Sequence, residues 1–108
     1  MDIKRGQVYY CDLSPVVGSE QDGLRPCVIV SNNKGNHFSP VVIVAPLTTR
    51  INKCRLPTQV LTADGKSMIM CEQIRVIDKR RISGERYTII AEETMAQVDA
   101  AIKISLGV

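Results

Sequence analysis

Arg25 closes a polar stretch, Gly18-Ser19-Glu20-Gln21-Asp22-Gly23-Leu24, and stands directly before an apolar run, Pro26-Cys27-Val28-Ile29-Val30. An arginine at the mouth of a buried strand is held more rigidly than one in mid-loop. Its planar fork of N–H donors matches the oxygens of a phosphate. The same pattern also fits an arginine that pins its own loop by pairing with Glu20 or Asp22. A second polar cluster, Thr48-Thr49-Arg50, follows the β-branched run over 41–47 and sets two hydroxyls beside a guanidinium. Such groups donate to phosphate, and they also make an ordinary polar strand end. A third cluster, Cys71-Glu72-Gln73-Ile74-Arg75, interrupts apolar sequence with a carboxylate and an amide, which either face solvent or serve a site.

The remaining residue types narrow the chemistry. His37 is the only histidine and lies in a turn-rich segment, where it reads as a surface residue. Acid–base catalysis by two histidines of one chain is therefore excluded. The carboxylates are scattered without ligand spacing, so neither a metal nor another cofactor is expected. The four cysteines contain no C-x-x-C, and three sit in apolar runs as small core residues, free thiols of the kind a reducing cytoplasm keeps. A net charge of +3, with basic clusters at Arg50, Lys53, Arg55 and at Arg75, Lys79, Arg80, Arg81, permits contact with a phosphate backbone without demanding it. No signal peptide and no apolar stretch near twenty residues appears, so a cytoplasmic protein without membrane attachment is expected.

The elements that must position these clusters are short. A chain of 108 residues reads as one domain over 1–108. With one Phe, three Tyr and no Trp, its core is built from Val, Ile, Leu and Met, and so small a domain gains from sharing surface with a second copy, which favours an oligomer. Strands are expected over 7–13, 26–31, 41–47, 57–61, 66–72 continuing through 74–77, and 86–90, with both strand tyrosines, Tyr9 and Tyr10, in the core. A long loop spans 14–24, turn formers with room for a helical turn span 32–40, and Asp64-Gly65 marks a hairpin. Residues 78–84 read as a turn or helical cap. The period then changes: Met95, Val98, Ile102 and Leu106 recur at helical spacing, with Glu92 and Glu93 in the first turn and Gly107 at the end. The pattern is mainly β, a small, partly open antiparallel barrel closed by a C-terminal helix.

Taken together the motifs resemble one family. The run Lys4-Arg5-Gly6-Gln7-Val8-Tyr9, the stretch from Asp12 to Gln21 (Asp-Leu-Ser-Pro-Val-Val-Gly-Ser-Glu-Gln) and Gly23-Leu24-Arg25-Pro26 are similar to the MazF/PemK toxin endoribonucleases. The likeness continues through Gly35-Asn36, Phe38-Ser39-Pro40, Val42-Ile43-Val44-Ala45, Leu47-Thr48, Leu56-Pro57-Thr58, Glu72-Gln73-Ile74-Arg75, Val98-Asp99 and Ile104-Ser105-Leu106. It thus runs in order over nearly the whole chain. The resemblance implies an SH3-like β-barrel with a C-terminal α-helix, homodimeric, that cuts single-stranded mRNA at short sequence motifs without a metal. It implies a MazE-type antitoxin, acidic and partly disordered, as the neutralising partner. By motif position it makes Arg25 and Thr48 the catalytic pair, and Ser19, Glu20, Gln21, Leu56, Pro57, Thr58, Glu72 and Gln73 the lining of the RNA groove. Glu20 is a candidate for the group that removes a proton. Between Thr58 and Glu72 the chain is shorter than the family pattern, which shortens one groove wall. The alternative is a CcdB-type gyrase poison on the same fold. Those relatives end in Trp-Gly-Ile, whereas this chain ends Leu106-Gly107-Val108, and the Arg25 and Thr48 motifs side with the nucleases.

Overall fold

Seven strands and two α-helices follow one another in the computed structural model, which describes residues 2–51 and 56–108. The strands are β1 (Gln7–Asp12), β2 (Leu24–Ile29), β3 (Val41–Thr48), β4 (Gln59–Leu61), β5 (Met68–Met70), β6 (Arg75–Asp78) and β7 (Ile82–Ile89). A short helix α1 (Asn33–Phe38) lies between β2 and β3, and α2 (Glu92–Leu106) follows β7. Three of the expected residues, Lys53, Cys54 and Arg55, fall outside the described ones. Every pairing is antiparallel, in the order β4-β5-β3-β2-β1-β7, with β6 alongside the first half of β3. Among the described residues the end strands β4 and β7 do not pair, so the sheet curls without closing. The expected class, mainly antiparallel β with a C-terminal helix, is the observed one.

Strand β3 sits at the centre and serves two partners on one side. Its residues Val41, Val42, Ile43 and Val44 pair with β6, and Leu47 and Thr48 pair with β5. The change of partner falls at Ala45 and Pro46. The carbonyl of Ile43 accepts from the Val30 amide at 2.9 Å, so odd residues of β3 aim their backbone groups at β2 and even residues aim away. Pro46 is even, and the N–H it lacks is the one that would have reached a strand on that side. The recorded ladder with β5 accordingly begins at Leu47, and the one with β6 ends at Val44. The chain between β5 and β6 instead leaves the sheet as a 3₁₀ turn, Cys71–Gln73. The expected strand over 66–72 is cut to three residues, ending at Met70, which the same register sets across from Pro46 and its missing N–H.

Alternation along the strands builds a core on each face of the sheet. On one face α2 lays Met95, Val98 and Ala101 over Val8, Val28, Val30, Ala45, Leu47, Val60, Ile69 and Cys71. On the other, Tyr9, Cys11, Leu13, Cys27, Ile29, Val42, Val44, Ile77 and Ile82 pack with Ile3. Tyr10, expected in the core, is 37% exposed and meets Tyr87 edge-on at 5.3 Å. The register of β1 against β7 shifts between Val8 and Tyr10, and that shift takes Tyr10 off the covered face. It also corrects the reading of 78–84. Asp78 caps a 3₁₀ turn over Lys79–Arg81, and β7 then runs continuously from Ile82 through Gly84, whose φ of 73° suits a bulge.

Helix α2 has Glu92 and Glu93 in its first turn and ends at Gly107, φ 75°, with Val108 N–H donating to Lys103 O at 2.9 Å. Leu106, expected on the buried stripe, is 60% exposed because the helix outruns the sheet beneath it. Arg5 ties the start of the chain to this helix, with Nη2 2.5 Å from Asp99 Oδ1 and Nε donating to Val30 O at 2.9 Å. Cys11, Cys27 and Cys71 are buried free thiols. A hydrogen bond with Cys11 and burial raise the Cys27 thiol, and burial with the nearby Glu72 carboxylate pushes Cys71 up to about 11, so both stay protonated near neutral pH. No helix among the described residues is long and apolar enough to cross a membrane.

The two kinds of contact differ in weight. Replacing fully buried Ile69 by Ala should cost about 2–5 kcal/mol in urea unfolding. Asp99→Ala, which removes a half-exposed ion pair, should cost only about 0.2–1 kcal/mol. Equal losses would contradict this ordering.

Candidate functional site

The loop joining β1 to β2 is built by its own polar groups. Leu13 N–H donates to Gly23 O at 3.0 Å and closes the base of the loop. The Ser14 hydroxyl donates to Asp22 Oδ1 at 2.6 Å and accepts from Gly23 N–H at 3.2 Å, and that amide also donates to Asp22 Oδ1 at 2.7 Å. The Ser14 hydroxyl, the Gly23 amide and the Arg25 guanidinium together hold the Asp22 carboxyl below the usual carboxylate range. Gly23 adopts φ 77°, which a β-carbon would strain, so the glycine is required where the loop turns back into β2. At the tip, Glu20 Oε1 accepts from Val17 N–H at 2.5 Å. Two arginines from the far side of the sheet hold the outgoing limb by its carbonyls. Arg75 Nη1 donates to Leu13 O at 2.9 Å, and Arg81 Nη1 donates to Asp12 O at 3.1 Å and to Ser14 O.

Arg25 follows this loop on β2 and is exposed. Of the two sequence readings, pinning to a carboxylate is not what occurs among the described residues: Arg25 Nε donates to the Asp22 carbonyl at 2.9 Å. Its Nη groups have no hydrogen-bond partner among the described residues. Thr48 ends β3, is 7% exposed, and its Oγ1 accepts from Arg50 N–H at 3.1 Å. The ladder between β2 and β3 pairs Ile29 with Val44, Val28 with Ala45 and Cys27 with Pro46. Carried on by two residues, the same register sets Arg25 across from Thr48. Directly opposed residues of an antiparallel pair share a face, and this one is the face of Cys27, Ile29 and Val44.

Where β3 changes partner lies an open cleft of about 320 Å³ lined by Leu13, Ser19, Glu20, Gln21, Pro46, Glu72, Gln73 and Arg75. Gln73 fastens the loop to the 3₁₀ turn with both ends of its amide. Its Oε1 accepts from Gln21 N–H at 2.7 Å and its Nε2 donates to Ser19 O at 3.4 Å. Glu72 Oε2 accepts from Gln59 Nε2 at 2.5 Å. Three buried side-chain atoms have no hydrogen-bond partner among the described residues: Gln21 Oε1, Thr58 Oγ1 and Glu72 Oε1. Each such group costs about 1–3 kcal/mol while unsatisfied, so a fold that keeps two in one cleft keeps a place for a donor.

The structure thus brings together Ser19, Glu20, Gln21, Glu72 and Gln73 around one cleft, and Arg25 and Thr48 are not among the residues that line it. It does not bring Leu56 and Pro57 to the same cleft. They line a separate groove between β4 and α2, with Gln97, Ala100 and Ile104. Thr58 stands between the two, its carbonyl accepting from Cys71 N–H at 2.9 Å. Three residues of the site had not been singled out in the sequence, Leu13, Pro46 and Gln59, and Arg75 had been named only within its polar and basic clusters. Only Pro46 carried a signal, a proline inside a β-branched run. His37 is exposed and stacks edge-on with exposed Phe38 at 4.6 Å, away from these residues. Among the described residues no three of His, Cys, Asp and Glu gather as a metal site would require. What the arrangement offers is an exposed guanidinium and a buried hydroxyl on one face of the sheet, and a cleft lined by residues with unpartnered acceptors.

Comparison with known proteins gives this geometry a family. Residues 4–106 match the family model described as PemK-like, MazF-like toxin of type II toxin-antitoxin system. A mycobacterial endoribonuclease solved in complex with its cognate antitoxin is similar at 28% identity and TM-score 0.83, the match covering 98% of this chain and 96% of that one. A mycobacterial endoribonuclease solved on its own is similar at 27% identity and TM-score 0.83, over 100% and 94% of the two chains. MazF from Deinococcus radiodurans shares the fold at TM-score 0.87 and 21% identity, over 100% and 99%. With nearly the whole chain matched in order and the same curled sheet and terminal helix, this protein belongs to the PemK-like, MazF-like toxins of type II toxin–antitoxin systems.

Proposed function

We propose that this toxin is a sequence-specific endoribonuclease that cuts single-stranded mRNA and so stops translation and growth. The observation that carries the reading is the β2–β3 register, which, continued by two residues past Cys27 and Pro46, puts Arg25 and Thr48 on one face of the sheet. The two mycobacterial endoribonucleases, similar over nearly their full length, support it.

The reaction uses the RNA's own 2′-hydroxyl, which attacks the adjacent phosphorus and expels the 5′-oxygen of the next nucleotide. The products are a 2′,3′-cyclic phosphate and a 5′-hydroxyl. A protein serving this reaction must stabilise the extra charge on the phosphorane, take up one proton and return one. Arg25 has its Nε committed to the loop, which fixes the guanidinium plane, and directs its outer N–H groups at the non-bridging oxygens. Thr48 accepts from the Arg50 amide, so its own hydroxyl proton is left to donate to the phosphate. Arg25 is the donor for the leaving oxygen, and Glu20, on the same cleft, is the candidate to receive the proton of the 2′-hydroxyl. The step itself calls for no metal. Ser19, Gln21, Glu72 and Gln73 meet the unpaired bases, while Leu56 and Pro57 line the separate groove against α2.

The active form in this reading is a homodimer, since Leu56, Ile104, Leu106 and Val108 leave an apolar face exposed around the end of α2. Its neutralising partner is an acidic, partly disordered antitoxin of the MazE type, which would fold on binding. The solved complex of the 28% identical relative with its own antitoxin supports that partner.

Three outcomes are expected. Incubated in EDTA with a long unstructured RNA, the protein should leave new 5′ ends that share a short motif, and Arg25→Ala should slow those cuts about 10²–10³-fold while staying folded. Intact RNA, or full activity in the variant, would refute the assignment. Light scattering should give the mass of two chains, and a monomer at micromolar concentration would contradict the dimer. Gln73→Ala should free the Ser19–Gln21 segment, so that a Glu-specific protease cuts after Glu20 several-fold faster. An unchanged rate would show that Gln73 does not hold the loop.

A further inference from the structure

The polar atoms of the cleft divide into those already used and those left over. Both ends of the Gln73 amide are spent on the loop, and Arg75 Nη1 is spent on Leu13 O. Glu72 Oε2 is spent on Gln59. The atoms left over are Glu72 Oε1 and Gln21 Oε1, both buried and both without a partner among the described residues. A carboxylate can only accept, so at Glu72 the cleft calls for a donor and repels a carbonyl. The walls are of another kind: Leu13 and the ring of Pro46 are apolar and lie beside these acceptors. A cleft of about 320 Å³ is at the small end of ligand sites (roughly 300–1,000 Å³), fit for one planar group and not for several.

We infer that this cleft is a single-base reading site in which Glu72 selects an amino-bearing base, adenine, cytosine or guanine, and rejects uracil. The inference rests on the nuclease reading for the identity of the ligand. Single-stranded RNA presents its bases splayed out, to be packed on flat apolar surfaces and read along their edges. The exocyclic amines of adenine, cytosine and guanine each offer an N–H to Glu72 Oε1. Uracil offers one ring N–H between two carbonyls, and those carbonyls meet the acceptors of the floor. Gln59 is the positioning residue: by donating to Oε2, and by accepting from Leu56 N–H at 3.1 Å through its own Oε1, it fixes which carboxylate oxygen faces the base. The cut motif should therefore contain one position, outside the scissile phosphate itself, at which uracil is excluded.

Glu72→Gln tests this without removing the packing, because the new carbonyl oxygen keeps the bond from Gln59 and the new amide nitrogen replaces Oε1. Cleavage of a randomised RNA pool should show a position where the wild type excludes uracil, and E72Q should raise uracil there on the order of tenfold relative to the other bases. Gln59→Leu, which releases the carboxylate, should blur the same position and no other. Unchanged preferences at every position in E72Q would overturn the inference. Binding is measured in parallel with 2′-O-methyl oligo(A), oligo(C) and oligo(U), which lack the nucleophile and cannot be cut. The wild type should bind oligo(A) or oligo(C) more tightly than oligo(U), and E72Q should narrow the gap. If the wild type makes no cuts but shows this binding pattern, the nuclease reading fails and the base site stands. If cuts occur and oligo(U) binds as well as the others to both proteins, the base site fails alone.

Discussion

One missing backbone N–H organises this molecule. Strand β3 is the central strand, buried on both faces from Val44 to Thr48, and an inner strand normally carries a ladder on each edge. Pro46 interrupts one of its ladders on the side away from β2, and the strand consequently takes β6 before the proline and β5 after it. The chain connecting those two partners must leave the sheet and return within a few residues. It does so as the 3₁₀ turn that carries Glu72 and Gln73. The cleft exists because a strand is absent there, and Pro46 forms part of its wall.

The β1–β2 loop then completes the other wall, and the way it is held separates structure from chemistry. Its base is satisfied internally by Ser14, Asp22 and Gly23, and its outgoing limb by Arg75 and Arg81 reaching carbonyls. Much of the basic cluster that could have been taken for a phosphate surface is in fact spent on the protein's own backbone or on Asp78. Arg25 differs in kind. It gives one N–H to the loop and keeps its outer face free, as a residue that must be both fixed and available requires. The unsatisfied acceptors in the cleft complete the contrast, because the fold closes nearly every other polar account nearby.

Much of the site was legible in the sequence, and the reasons differ by residue. Arg25 was visible because a charged residue abuts a buried run, and Thr48 because a hydroxyl ends one. The order of the motifs along the chain pointed to the family that residues 4–106 match. The helix over Glu92–Leu106 was legible from its period, as were β2 and β3 from their β-branched runs. What was hidden depends on pairing across the sheet. Nothing local says that Tyr10 leaves the core, since that follows from a register shift against β7. Nothing local marks Gln59, thirteen positions from the carboxylate it holds, or Arg75, sixty-two from the carbonyl it caps. The separation of Leu56 and Pro57 from the cleft is likewise set by where β4 meets α2.

The central claim is that the β2–β3 register places Arg25 and Thr48 on a single phosphate. A double-mutant cycle on cleavage rate tests this most directly, using Arg25→Ala, Thr48→Val and the pair under single-turnover conditions in EDTA. Groups that act as one unit lose little more together than the more damaging change loses alone, so the double variant should fall within about tenfold of that single variant. Losses that multiply would mean that the two residues act on separate parts of the RNA, and would contradict the site described.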